Sequence, residues 1–251
     1  LCLVNKRLWL STNASHQSKL NQMTLNYDNY DVLSFDCYGT LIDWERGIWL
    51  AFQPLLAKNA HRQIDQKQVL TDFAEFENEI QSIHPGMPYP DVLKRVHNRF
   101  AFKYDLVKNE EFDRVFGESV GEWPVFPDTI KALVDLKKRY KLAILSNVDD
   151  AGFAASNVHL AIEFDAIYTA EKIGAYKPDI GNFKFLFAKL FAEEGIPRKR
   201  ILHVAQSLYH DIQPAKTLEM DCVWIDRQGL STGGEWGATS VISEWPDVDA
   251  V

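Results

Sequence analysis

The sequence predicts an α/β protein: a parallel sheet covered on both faces, with a helical segment inserted after the first strand. Three observations predict it. The run Asp31–Asp36 (DVLSFD) is apolar until it ends in a charge and a glycine turn, as a buried strand does. Between Asp43 and Glu122 apolar residues recur at helical spacing and no strand pattern appears. After Trp123 short apolar runs alternate with helical ones, which implies right-handed crossovers and a parallel sheet.

Taken in order, the first strand, 31–36, runs into Cys37-Tyr38-Gly39-Thr40. Residues 48–56 form one amphipathic helix. Val69, Leu70, Phe73, Phe76, Ile80 and Ile83 mark a second. Pro90 fits the first turn of a third, with Val92, Leu93, Val96 and Phe100 inward, and 110–120 is a fourth. Helix 128–139, strand 142–146, helix 150–158 and strand 166–169 follow. Helix 179–193, closed by Gly195 and Pro197, then leads to strand 201–205, helix 212–218 and strand 222–225. The core is then 26–43 plus 123–251, with a helical cap at 44–122. Residues 1–25, in which Met23 is the first methionine, read as a leader or cloning remnant outside the fold; an extra strand or helix there is the alternative.

Composition narrows the function. Hydrophobic residues are 46% and charged residues 25%, ordinary for a soluble globular chain. The net charge is -8 with no basic stripe, which argues against nucleic acid as the main partner but not against a small anion. Cys2, Cys37 and Cys222 lack metal-ligand spacing and suit a reducing compartment, so a cytoplasmic protein is expected. No apolar run is long enough to span a bilayer.

Ligands of such sheets bind beyond the carboxyl ends of the strands. The polar groups there are Asp36, then Ser146 with Asn147, then Ser207 with Asp211. Asp36 ends an apolar strand, where its charge needs hydrogen bonds or a cation; it also suits a simple turn cap. Lys177, fixed by Pro178 before a helix, can supply that cation or stand in an exposed loop. Ser146-Asn147 can bind an anionic group or cap a helix, and Asp211 can act chemically or as an N-cap.

The order Asp36-x-Tyr-Gly-Thr, a strand ending Leu-Ser-Asn, Lys-Pro-Asp and a late Asp after a strand resembles the haloacid dehalogenase superfamily, over Asp31 to about Arg227. The resemblance implies a Rossmannoid core with a helical cap, and Asp36 as a nucleophile. Phosphatases of this superfamily carry a second aspartate two residues after the nucleophile. Here that position is Tyr38, as in its (S)-2-haloacid dehalogenases, whose halide leaves without a proton. Position 207, four before Asp211, is a serine, so no cofactor is expected; magnesium enters only for a phosphatase.

The resemblance then implies that Asp36 displaces halide from a 2-haloacid and that water activated by Asp211 hydrolyses the ester to a 2-hydroxy acid. Lys177 orients Asp36, Ser146 meets the substrate carboxylate and Asn147 the halide, while Tyr38 and Thr40 shape the pocket and the cap closes as a lid. Ser207 joins the substrate-binding set. Three residues depart from the pattern. The halide-binding arginine of those dehalogenases has no clear counterpart, because 72–79 (DFAEFENE) is acidic; Arg46 is the best substitute. A tyrosine after Lys-Pro-Asp is Phe183 here, and the usual Ser-Ser-Asn is Gln206-Ser207-Leu208. The cap aromatics Trp49, Phe52, Phe73, Phe76 and Tyr89 can line a pocket or simply pack. His203 and His210 have acid–base chemistry by type, but His203 lies within a strand. The expected partner is a small-molecule carboxylate, without nucleic acid or membrane, and a homodimer stays open. The alternatives are a hydrolase of another small carboxylate, such as an azetidine carboxylate hydrolase, a magnesium phosphatase, and a non-catalytic binding protein.

Overall fold

The computed structural model describes residues 25–229 and 238–242. Six parallel strands lie in the order β3-β2-β1-β4-β5-β6. They are β1 (Val32–Phe35), β2 (Lys141–Ser146), β3 (Ala166–Thr169), β4 (Ile201–Ala205), β5 (Cys222–Ile225) and β6 (Ser240–Ile242). β1 is central, with Ser34 level with Ala143 on one side and His203 on the other.

The two-residue period of the strands sorts their side chains between two cores. Leu33, Phe35, Leu142, Ile144, Leu202 and Val204 face one way, toward Leu133 and Phe153. Val32, Ala143, Leu145, Ile201 and Ala205 face the other, onto Phe183, Leu186, Leu190 and Ile212. The chain moves outward from β1 to β2 to β3, then returns to place β4 beside β1. That reversal opens a crevice at the carboxyl ends of β1 and β4.

Between β1 and Trp123 run four α-helices: α1 (Trp44–Lys58), α2 (Gln66–Ile83), α3 (Tyr89–Lys103) and α4 (Glu110–Gly117). The side chains of Asp43, Asp65 and Asn109 cap α1, α2 and α4 by accepting from the N–H three residues on. The Asp43 cap starts α1 four residues before the expected 48. The four helices share an aromatic core, with the Phe52 ring 4.4 Å from Phe116 and 4.6 Å from Phe100. Phe52 and Phe76 are thus packing residues. Gly47 seats α1 against Trp123, since a Cβ there would lie 2.3 Å from Trp123 Cγ.

The remaining helices are α5 (Thr129–Lys137), α6 (Asp150–Leu160), α7 (Ala170–Ile173), α8 (Gly181–Glu194) and α9 (Gln213–Thr217). A π-helical turn, Leu208–Ile212, precedes α9 where a plain helix from 212 is expected. Sequence reading misses α7 and β6, each too short to show a period. The expected leader, 1–25, lies outside the described residues except for Leu25.

Candidate active site

β1 delivers Asp36 into the crevice. Its backbone N–H still donates to Val204 O (3.1 Å), so the side chain leaves the sheet edge beside β4. The chain then turns sharply at Gly39, whose φ is +99°. That turn returns Thr40 beneath Asp36, where its Oγ1 donates to Asp36 Oδ2 (2.7 Å). The same Oγ1 accepts from the Gln206 N–H after β4 (2.9 Å), and Thr40 O accepts from Arg227 (2.8 Å). Thr40 therefore sits behind Asp36 and ties three loops together.

Lys177 arrives from the loop after α7. Asn147, at the end of β2, grips its backbone on both sides: Lys177 N donates to Asn147 Oδ1 (2.7 Å) and Asn147 Nδ2 donates to Lys177 O (3.0 Å). The ammonium is buried, and its three protons go to Asp36 Oδ1 (2.9 Å), Asp211 Oδ1 (2.6 Å) and Leu145 O (2.9 Å). Asp211 also pairs with His203 Nε2 (2.9 Å), whose other ring nitrogen meets Ser34 Oγ (2.9 Å). A polar chain thus runs from the sheet interior to the crevice: Ser34, His203, Asp211, Lys177, Asp36.

Burial and pairing set the charges. Burial opposes the ammonium, but the two carboxylates hold Lys177 above the ordinary lysine range. Burial also pushes against ionised Asp211, yet Lys177 and His203 hold its carboxyl at about 2. For Asp36, burial pushes the carboxyl up, Lys177 and Thr40 pull it down and the charge of Asp211 adds to the rise, so that it stands above the ordinary carboxylate range. Without Lys177 the two aspartates would repel each other.

Above these groups lies a cavity of about 220 Å³, lined by Asp36, Asn147, Lys177, Ser207 and Asp211 from the core. Ligand pockets for drug-sized molecules run from about 300 Å³ upward, so this one suits a smaller substrate. Tyr38 and Trp123 add walls, with the Tyr38 ring edge-on to Trp123 at 5.4 Å. Ser156 gives its only hydroxyl proton to Val120 O (3.2 Å), so Tyr38 must donate to Ser156 Oγ (2.9 Å). The Tyr38 phenol is therefore tied to structure, and burial keeps it neutral.

Arg46, Ser146 and Thr40 do not line the cavity, and Asn147 lines it in another role than expected. Arg46 is exposed on α1 and does not line the cavity, because Gly47, Ile48, Phe52 and Leu55 take the inward face. Ser146 is buried at the end of β2, does not line the cavity, and its Oγ has no partner among the described residues. Asn147 does line the cavity, but both ends of its amide hold the Lys177 backbone, so it is placed to position Lys177, not to receive a halide.

Of the other cavity residues, Phe73 and Tyr89 are aromatics that the sequence leaves open between pocket and packing, while Ala74, Glu77 and Asn78 are missed by sequence reading. α2 presents Phe73, Ala74, Glu77 and Asn78, two adjacent pairs one helical turn apart. Their segment is the acidic stretch where an arginine is expected. Glu77 Oε1 accepts from Tyr89 OH (2.7 Å), and burial pushes its carboxyl up to about 7. Asn78 Oδ1 meets His210 Nε2 (2.8 Å), joining α2 to the loop after β4. Ser207 Oγ caps that loop, accepting from His210 N (3.1 Å). Burial takes His210 down to about 4, so it is neutral near pH 7.

The superfamily's phosphatases invite a test for magnesium. Position 38 offers a tethered phenol, position 207 a hydroxyl, and the Lys177 ammonium bridges Asp36 and Asp211. Among the described residues, no group of three His, Cys, Asp or Glu is gathered to hold a metal ion. Lys177 thus takes one oxygen of each aspartate, and position 38 adds no carboxylate. No helix among the described residues is long and apolar enough to cross a membrane.

Comparison with solved structures gives the same architecture. A crystal structure of an L-2-haloacid dehalogenase superposes with a TM-score of 0.71 at 22% identity, covering 86% of this chain and 96% of that one. The L-2-haloacid dehalogenase of Xanthobacter autotrophicus gives 0.67 at 17% identity, covering 80% and 79%. The HAD-hydrolase YfnB of Bacillus subtilis, solved with magnesium, gives 0.71 at 15%, covering 86% and 95%. At these identities the likeness concerns the fold. A search of curated proteins found no match. The sequence profile of the haloacid dehalogenase-like hydrolases, however, matches residues 30–218, from the strand that carries Asp36 through the turn that carries Asp211, and the chain belongs to that family.

Proposed function

We propose that this chain is a hydrolase of the 2-haloacid dehalogenase type, breaking a bond between a saturated carbon and a leaving group through an ester on Asp36. One observation carries the reading: a buried carboxylate at the crevice faces a small cavity while its charge is balanced by Lys177, and no second carboxylate stands at position 38. An Asp36 oxygen attacks the carbon, the carbon–leaving-group bond breaks, and the leaving group takes the electron pair. Water held by Asp211 then adds to the Asp36 carboxyl carbon, the bond from that carbon to the ester oxygen breaks, the departing oxygen takes one proton of the water to leave as an alcohol, and the other proton goes to solvent as Asp36 returns to its carboxylate. A carboxyl held at about 2 is a weak base. Asp211 therefore works mainly by orienting water with its Oδ2, which has no protein partner among the described residues. Residues 44–122 serve as the cap, and 26–43 with 123–229 and 238–242 as the core. A metal ion has no part in this scheme, and the setting is cytoplasmic.

The reference reaction converts an (S)-2-haloacid to a 2-hydroxy acid and halide. Chloride release should be measured from (S)-2-chloropropionate and from its uncharged amide, with and without added magnesium. Release from either that is independent of magnesium and abolished in Asp36→Asn is expected. Release that survives Asp36→Asn would refute the assigned nucleophile, and phosphate-ester hydrolysis removed by EDTA would favour a phosphatase.

A further inference from the structure

The charge of the cavity says what kind of substrate it admits, given the covalent reading above. Among the described residues lining it, Lys177 is the single lysine or arginine, and all three of its protons are taken. His210 is neutral. Lys177 balances one of the two aspartates, leaving one negative charge, and Glu77 adds another carboxyl group from α2. An anion entering the cavity meets excess negative charge and no free cationic donor. The wall opposite in character is aromatic: Trp44, Phe73, Tyr89 and Trp123, with Trp44 and Phe73 centroids 5.5 Å apart and Tyr89 and Trp123 6.5 Å apart. Ring faces attract cations, and a carboxylate among rings is the combination that recognises an ammonium group.

We propose that Glu77 is the specificity-determining residue of the cavity, its carboxylate pairing with a protonated amine that the substrate carries, so that a cationic substrate is preferred over an anionic one. Glu77 Oε1 is held by Tyr89, which leaves Oε2 without a protein partner among the described residues. The groups facing Glu77 are phenols, Tyr89 on α3 and Tyr176 just before Lys177, and Tyr38 on the loop after β1 lines the same cavity; all three are kept neutral by burial. Asp36, Asp211 and Lys177 share the cavity, and His210 reaches the neighbouring Asn78. Because burial raises the Glu77 carboxyl to about 7, the cation preference is full above pH 7 and is lost as pH falls through it.

The test compares binding of two isosteres, isobutylammonium and isobutyrate, by titration calorimetry on the full chain. At pH 8 the ammonium is expected to bind at least tenfold more tightly. In Glu77→Gln, which keeps an acceptor for Tyr89, that preference should fall at least tenfold. In the unaltered protein ammonium affinity should weaken about tenfold between pH 8 and pH 6, the change in the ionised fraction of a group titrating near 7. Equal binding, no binding, tighter binding of isobutyrate, or a preference that survives both Glu77→Gln and pH 6 overturns the proposal. Neither ligand has a leaving group, so the result is separate from catalysis. Cation preference without any ester on Asp36 sinks the covalent reading alone, whereas ester formation with a preference for isobutyrate sinks this inference alone.

Discussion

Replacing Lys177 with methionine removes one charge from a fully buried cluster while nearly preserving its volume. The consequence follows from where its protons go. Asp36 and Asp211 lose their shared donor, and the Leu145 carbonyl loses a partner. Breaking a buried pair by deleting one partner costs about 3–5 kcal/mol, because the remaining charge has no compensation. Here two carboxylates remain, so one must take up a proton to fold. Their folded-state values then rise above the unfolded carboxyl value, a stability contribution that is present at low pH and lost as pH rises through them. Lys177→Met is therefore expected to be destabilised by about 3–5 kcal/mol at pH 7, with a smaller deficit at pH 4. Denaturant unfolding followed by circular dichroism at both pH values measures it. Activity should fall, because a protonated Asp36 cannot attack carbon and each unit by which its pKa exceeds the assay pH costs about tenfold in ionised nucleophile. A Lys177→Met protein of unchanged stability at pH 7, or one whose deficit grows at pH 4, would refute the reasoning.

The unaltered protein should lose about 2 kcal/mol of stability as pH falls from 4 toward 2, because Asp211 is held at about 2 against a usual 3.8; an acid titration of unfolding free energy checks this. Thr40→Val removes the hydrogen bonds to Asp36 and from Gln206, and should cost about 1–3 kcal/mol in stability and lower kcat/KM with KM little changed. Tyr38→Phe should leave kcat within a few-fold, since the hydroxyl is committed to Ser156; a loss of a hundredfold would mark Tyr38 as a proton donor to the leaving group. Gly47→Ala places a Cβ 2.3 Å from Trp123 Cγ and should lower thermal stability by the equivalent of about 1–3 kcal/mol.

Most of the sheet and the buried carboxylate of Asp36 are legible because local rules decide them. An apolar strand that ends in Asp36 and a glycine turn declares a buried carboxylate, and Pro178 fixes the approach of Lys177. The two-residue and helical periods mark five of the six described strands and the five helices before β2. The opposite wall of the cavity was not legible. Glu77 and Asn78 belong to it because α2 docks over the β4 loop, a tertiary fact that the helical period of α2 does not encode. The acidic segment 72–79 was visible as a departure from the expected arginine, yet its meaning needed the cavity. Arg46 was misplaced because nearness to Asp36 in sequence says nothing about which face of α1 it occupies. His203 was set aside as a buried strand residue; a histidine in the otherwise apolar run ILHVA was the signal, and its partners Ser34 and Asp211 explain it.

The most direct measurement is a single turnover in oxygen-18 water, followed by mass mapping of the peptide that contains Asp36. Incorporation of one heavy oxygen into that carboxylate, with an unlabelled product, is the result expected if water opens an ester at the enzyme's own carboxyl carbon. Label in the product alone, with the Asp36 peptide unchanged, would mean that water attacks the substrate directly and would contradict the covalent role of Asp36.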